Sequence, residues 1–161
     1  MHRKFRAAMV VALLSSVIGL HFPSQAHSKH VQLDVVGQNG NVLMTIPMHQ
    51  DASWCLLWNH SVAGFTVSDC FVIRHNTLFL QSSHQPDFAA GLGYMEGRGN
   101  LVNDGKGGYL ITEINEPVPN NGLVLRVGSK AVNHRVLYQG LETSLSNVVA
   151  GQRVTLQLSR S

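Results

Sequence analysis

Hydrophobic and polar residues alternate along most of this chain with a period of two. Val31, Leu33 and Val35 are separated by Gln32 and Asp34, as in a half-buried strand. Gln38-Asn39-Gly40 is a turn, Val42 to Ile46 returns, and Pro47 is expected to end that strand. Residues 54–62 place Trp54, Leu56, Trp58, His60 and Val62 on one face. The returning strand, about 67–73, places Val67, Asp69, Phe71 and Ile73 on one face. Thr77 to Gln81 follows as a third strand, so 54–81 reads as a meander. Between Ser82 and Gly108 the pattern is lost. Seven of the 15 glycines fall there, and the stretch reads as irregular segments and a loop around Asn103-Asp104-Gly105-Lys106. Strands resume at Tyr109 to Ile114, Leu123 to Val127, Val132 to Tyr138 and Val154 to Leu158, with room for one short helical turn in 141–150. No segment sustains a helical period. The expectation is an all-β fold, a single-domain antiparallel β-sandwich or barrel of about eight or nine short strands.

The register of the first hairpin decides its chemistry. With Gly64-Phe65 as a two-residue turn, His60 stands directly opposite Asp69 and is the partner that a carboxylate on a core face needs. With Val62-Ala63 as the turn, Cys55 stands opposite Cys70 and a disulfide becomes available. A simple hairpin cannot hold both. Gly64 suits the first turn, so the His60–Asp69 register is favoured, with Cys55 and Cys70 as buried thiols.

The amino terminus changes how charge is read. Arg3, Lys4 and Arg6 precede an apolar run over residues 7–20, and Ser24-Gln25-Ala26 offers small residues for cleavage. Residues 1–26 are therefore expected to be a removable signal peptide, leaving 27–161 as one β-rich, periplasmic domain. No cysteine ends the apolar run, so no lipid anchor is expected, nor stable membrane insertion after cleavage. Loss of the leader leaves nine Lys and Arg against nine Asp and Glu, so the chain's net charge of +3 belongs to the leader. No basic patch with interleaved aromatics is present, and nucleic acid is not an expected partner.

The candidate chemistry is sparse. His60 and Ser61 point to opposite faces of a strand and cannot readily act as a nucleophile–base pair, and there is no Gly-x-Ser-x-Gly elbow. Gly91-Leu92-Gly93 lacks the strand–loop–helix setting and the Gly-Lys-Ser/Thr of a phosphate cradle. His60, Asp69 and His134 could make a two-His, one-carboxylate metal site, and Trp54 with Trp58 could stack on a sugar. Neither carries the expectation, which is a non-catalytic protein without cofactor. Its ligand- or partner-binding candidates are His60, Ser61, Asp69, Asp87, His134 and Arg135, with the glycine-rich stretch from Asp87 to Gly108 as a cover.

Several segments in order resemble the domain of unknown function 1850 family. They are Trp58-Asn59-His60-Ser61-Val62 with Asp69, Asp87-Phe88-Ala89-Ala90-Gly91-Leu92-Gly93, His134-Arg135-Val136 and Gly151-Gln152-Arg153-Val154-Thr155-Leu156. Relatives tend to carry Glu where Asp69 stands here. The resemblance implies a small exported bacterial protein often encoded beside TAXI-type TRAP transporters. It therefore implies an accessory or binding role in solute uptake, with transporter components or a small molecule as partner. A small-ligand or carbohydrate-binding module and a small metal-dependent enzyme are the alternatives.

Overall fold

The computed structural model describes residues 30–60, 65–85 and 95–160. The expected leader, Ser61, Gly64 and Asp87 lie outside these residues. In chain order the elements are β1 (His30–Gly37), β2 (Val42–His49), β3 (Ser53–Asn59), β4 (Thr66–Arg74), β5 (Thr77–Gln85), β6 (Asn100–Asn103), β7 (Tyr109–Thr112) and β8 (Glu116–Pro117). A 3-10 turn (Pro119–Asn121), β9 (Gly122–Arg126), β10 (Arg135–Tyr138), β11 (Leu141–Ser144), α1 (Ser146–Val149) and β12 (Arg153–Arg160) complete them. Among the described residues no helix is long and apolar enough to cross a membrane.

The strands form two antiparallel sheets, and neither closes on itself. One runs β2-β1-β12-β9; the other runs β11-β10-β3-β4-β5-β7-β6, with β8 paired to β5. The inner faces of both sheets feed one apolar cluster. Val31, Leu33 and Val35 of β1 and Val154, Leu156 and Leu158 of β12 meet Trp54, Leu56, Phe71, Ile73 and Leu78 of the larger sheet. The architecture is an all-β antiparallel sandwich, as the alternation predicts. Pro47 does not end its strand. It pairs with Gln32 inside β2, an edge strand, where a residue without an N–H costs no ladder bond on the open side.

The first hairpin adopts the register that was not favoured. Cys55 pairs with Cys70, Trp54 with Phe71 and Asn59 with Thr66, and Cys55 and Cys70 form a disulfide. Asp69 therefore stands opposite Leu56, and the His60 main-chain N–H donates to the Phe65 carbonyl. The two registers differ by an even number of residues, so both put the same side chains inside, and alternation could not separate them. A Trp54–Phe71 stack, with ring centroids 4.6 Å apart, and the disulfide hold the observed pairing.

The stretch expected to be irregular is partly strand. β5 continues to Gln85, and β6 pairs with β7 at the edge of the larger sheet. Between β4 and β5 the register shifts: Phe71 faces Leu80, but Cys70 faces Ser82, which leaves Gln81 as a β-bulge. The Gln81 carbonyl accepts the N–H of Ile114, so the unpaired backbone is satisfied.

Candidate functional site

The bulge at Gln81 determines what the larger sheet points inward. Leu78 and Leu80 face the core on one side of it. One extra residue reverses the alternation, so Ser83 and Gln85, rather than Ser82 and His84, turn inward beyond it. Ser83 is paired with Asp69 and flanked by Ile111 on β7, and Gln85 is flanked by Tyr109.

These residues form a directed chain. The Gln85 Nε2 donates to Ser83 Oγ at 2.8 Å, and Ser83 Oγ donates to Asp69 Oδ1 at 2.7 Å. Ser83 and Gln85 are buried, and the Gln85 Oε1 has no hydrogen-bond partner among the described residues. Burial pushes the Asp69 carboxyl above its usual range, while the Ser83 hydrogen bond and the charge of Arg98 act in the opposite direction.

Arg98 is itself clamped. Its Nε and Nη2 donate to Glu116 Oε1 and Oε2 at 2.6 and 2.7 Å, a bidentate pair that lowers the Glu116 pKa and raises that of Arg98. The next residue, Gly99, has φ +70°, and a Cβ there would collide with the Thr112 carbonyl oxygen. Only glycine lets the chain turn from Arg98 into β6 at this point.

The other predicted residues stand on the far side of β3. His134 stacks on Trp58, with ring centroids 5.8 Å apart. Its Nδ1 accepts the Gly128 N–H at 2.9 Å, its own N–H donates to Ser146 Oγ, and its carbonyl accepts from Leu145 and Ser146. Burial lowers the His134 pKa, in keeping with an unprotonated Nδ1. Arg135 donates to the Asn133 carbonyl and to Asn59 Oδ1, and its Nε pairs with Glu142 at 2.9 Å.

Asp69 lies on β4 and His134 immediately precedes β10, strands that flank β3 on opposite sides, two strand spacings or roughly 10 Å apart. His60, Asp69 and His134 are not brought together as a ligand set, and among the described residues no three His, Cys, Asp or Glu side chains are grouped to hold a metal. Trp54 is 1% exposed and stacked on Phe71, so it packs the core and offers no platform to a sugar. On the outer face of β5, His84 Nε2 lies 2.9 Å from Asp104 Oδ2, and Phe65 packs edge-on against the imidazole. Asp104 Oδ1 accepts the N–H groups of Lys106 and Gly108, which closes the β6–β7 turn.

Ser83, Gln85, Arg98 and Glu116 were missed by the sequence reading. The signal for Ser83 and Gln85 was an apolar run that turns polar at Gln81, which marks a bulge only once the β4–β5 pairing is known; Arg98 and Glu116, 18 residues apart, are joined only by the tertiary structure.

Comparison with the curated proteins gives no match, and comparison with the solved structures gives none. One family profile does match, from the first cysteine of the disulfide to Leu145. It spans more than half of the chain, including β4 to β11, Asp69, Ser83 and Arg98. By that match over residues 55–145, the chain belongs to the family described as a domain of unknown function, DUF1850.

Proposed function

We propose that this protein is an exported accessory or binding protein that works in the periplasm without catalysis, in the setting of a TRAP-type solute uptake system. The observation that carries the compartment is the Cys55–Cys70 disulfide, a bond that persists in oxidising surroundings and is rare where thiols are kept reduced. The basic, apolar and small-residue order of the first 26 residues agrees with it. The transport setting rests on the family resemblance.

The chemistry of the site favours holding over reacting. Ser83, whose hydroxyl donates to the Asp69 carboxylate, is fully buried, and both of its hydrogen-bonding roles are occupied within the Gln85–Ser83–Asp69 chain. His134 is engaged at its Nδ1 and along its main chain. Side chains tied down in this way orient a surface at little entropic cost on binding. The contact region proposed is the end of hairpin β3–β4 at His60, with Asp69 on one side of β3 and His134 and Arg135 on the other; Ser61 and Asp87, outside the described residues, are proposed with them on the sequence alone.

The test is a pull-down with residues 27–161, made from periplasm and from detergent-solubilised membrane, with elemental analysis of the same sample. Recovery of a TRAP-type permease or its solute-binding protein is the expected result. Stoichiometric zinc or iron without a transporter component would overturn the reading in favour of a metal-dependent enzyme.

A further inference from the structure

The outer face of the smaller sheet carries two arginines in an arrangement that the sheet itself does not explain. Arg126 on β9 and Arg153 on β12 are direct cross-strand partners. Val154 and Leu156 point inward, so the alternation sends Arg153 outward, and both arginines are exposed. Like charges directly opposite each other repel. Among the described residues no carboxylate relieves this pair: the ion pairs there are His84–Asp104, Arg98–Glu116 and Arg135–Glu142.

Both arginines border a cleft of about 460 Å³ whose other walls include Gln38, Asn39, Leu43 and Gln152, and among the described residues no acidic one lines it. Two smaller depressions adjoin it along Val124, one bordered by both arginines and the other by Arg153 and Thr155. The cleft is of the size that takes a small molecule. It lies on the opposite sheet from the Asp69 chain, and Arg153 is beyond the residues matched by the family profile.

We infer that this cleft binds a small molecule bearing a phosphate-monoester group, with the phosphate held between Arg126 and Arg153. The match is in charge and in shape. A phosphate monoester places close to two negative charges on one tetrahedral head. Opposed residues have Cβ atoms about 5 Å apart, so two planar guanidinium forks converge on one such head and donate to its oxygens in pairs. A dicarboxylate spreads the same charge over two separate groups and fits a convergent pair less well. The carboxamides of Gln38 and Gln152 line the same cleft and can donate to the ester's remaining oxygens. Leu43, 38% exposed, gives the organic part an apolar wall in the cleft, and Val124, 52% exposed, extends it into the adjoining depressions.

The experiment is isothermal titration of the full exported chain with glycerol 3-phosphate, inorganic phosphate and succinate, and co-sedimentation with vesicles containing phosphatidic acid. Arg126→Gln, Arg153→Gln and the double variant are run beside it, all at matched ionic strength. Glycerol 3-phosphate is expected to bind more tightly than succinate, each single variant to weaken it by at least about tenfold, and the double variant to abolish it. Both arginines are exposed, so the variants are expected to melt at or above the parent's temperature in phosphate-free buffer. Binding to phosphatidic acid vesicles but not to the soluble ester, lost in the double variant, assigns the same chemistry to a lipid headgroup. An unchanged affinity in the double variant, or tighter binding of succinate, overturns the proposal.

Discussion

Asp69 is a carboxylate whose surroundings disfavour its charge. It sits on the core face of β4 between Leu56 and Ser83. Burial raises its pKa above the ordinary value of 3.8, although Ser83 and Arg98 pull it down. The sign for stability follows. Below pH 3.8 the folded and unfolded chains both keep the proton, and the group costs nothing. As pH rises the unfolded chain releases its proton first, so stability declines through the interval between the two pKa values and stays lower at pH 7. Asp69→Asn keeps an oxygen to accept from Ser83 and removes the charge. The variant is expected to be more stable than the parent at pH 7, by up to about 1 kcal/mol or some 2–4 °C in melting temperature for a domain of this size. The difference should shrink toward pH 3. Thermal melts at both pH values check this, and a variant several degrees less stable at pH 7 would show that the attraction of Arg98 outweighs the cost of burial.

The hairpin β3–β4 is an element whose pairing is held by two cross-strand contacts, the Trp54–Phe71 stack and the Cys55–Cys70 bond. The cysteines are 15 residues apart, so closing that loop removes conformational freedom mainly from the unfolded chain. The expected contribution is about 3 kcal/mol. Denaturant unfolding of Cys55→Ala/Cys70→Ala should show a loss of that order, and reductant should lower the parent's midpoint and leave the variant's unchanged. Equal midpoints for the parent with and without reductant would mean that the bond adds nothing. The β4–β5 ladder depends on a different device. Its bulge at Gln81 brings Ser83 and Gln85 inside and makes the polar chain to Asp69.

At the scale of the molecule, the family profile and the folding unit do not coincide. Residues 55–145 contain nearly all of the larger sheet but only β9 of the smaller one. Val31, Leu33, Val35, Val154, Leu156 and Leu158 cover the larger sheet from outside that span. Six buried aliphatic side chains at roughly 1.5–3 kcal/mol each are worth on the order of 10 kcal/mol. That is as large as the net stability of a typical domain, about 5–15 kcal/mol. A fragment of residues 55–145 is therefore expected to lack a cooperative melt and to bind a hydrophobic dye, while residues 27–161 melt cooperatively. Near-ultraviolet circular dichroism and dye fluorescence distinguish the two, and a cooperative melt of the short fragment would show that the larger sheet folds without its cover.

Alternation by itself determined the class of this fold and most of its inside and outside. Val31, Leu33, Val35, Trp54, Leu56, Phe71 and Ile73 are buried where a period of two puts them, because a sheet with one covered face allows no other sorting. Only the tertiary structure decided the registers. A shift by four residues leaves every side chain on its face, so the choice between His60 and Leu56 as the neighbour of Asp69 was invisible to the pattern and fell to the disulfide and the aromatic stack. A bulge shifts by one and reverses the faces. The inward placement of Ser83 and Gln85 thus depended on how β5 pairs with β4 and on Ile114 supplying an N–H to Gln81. The opposed arginines follow the same logic. Positions 126 and 153 are 27 residues apart in the chain, and only the β9–β12 pairing makes them neighbours.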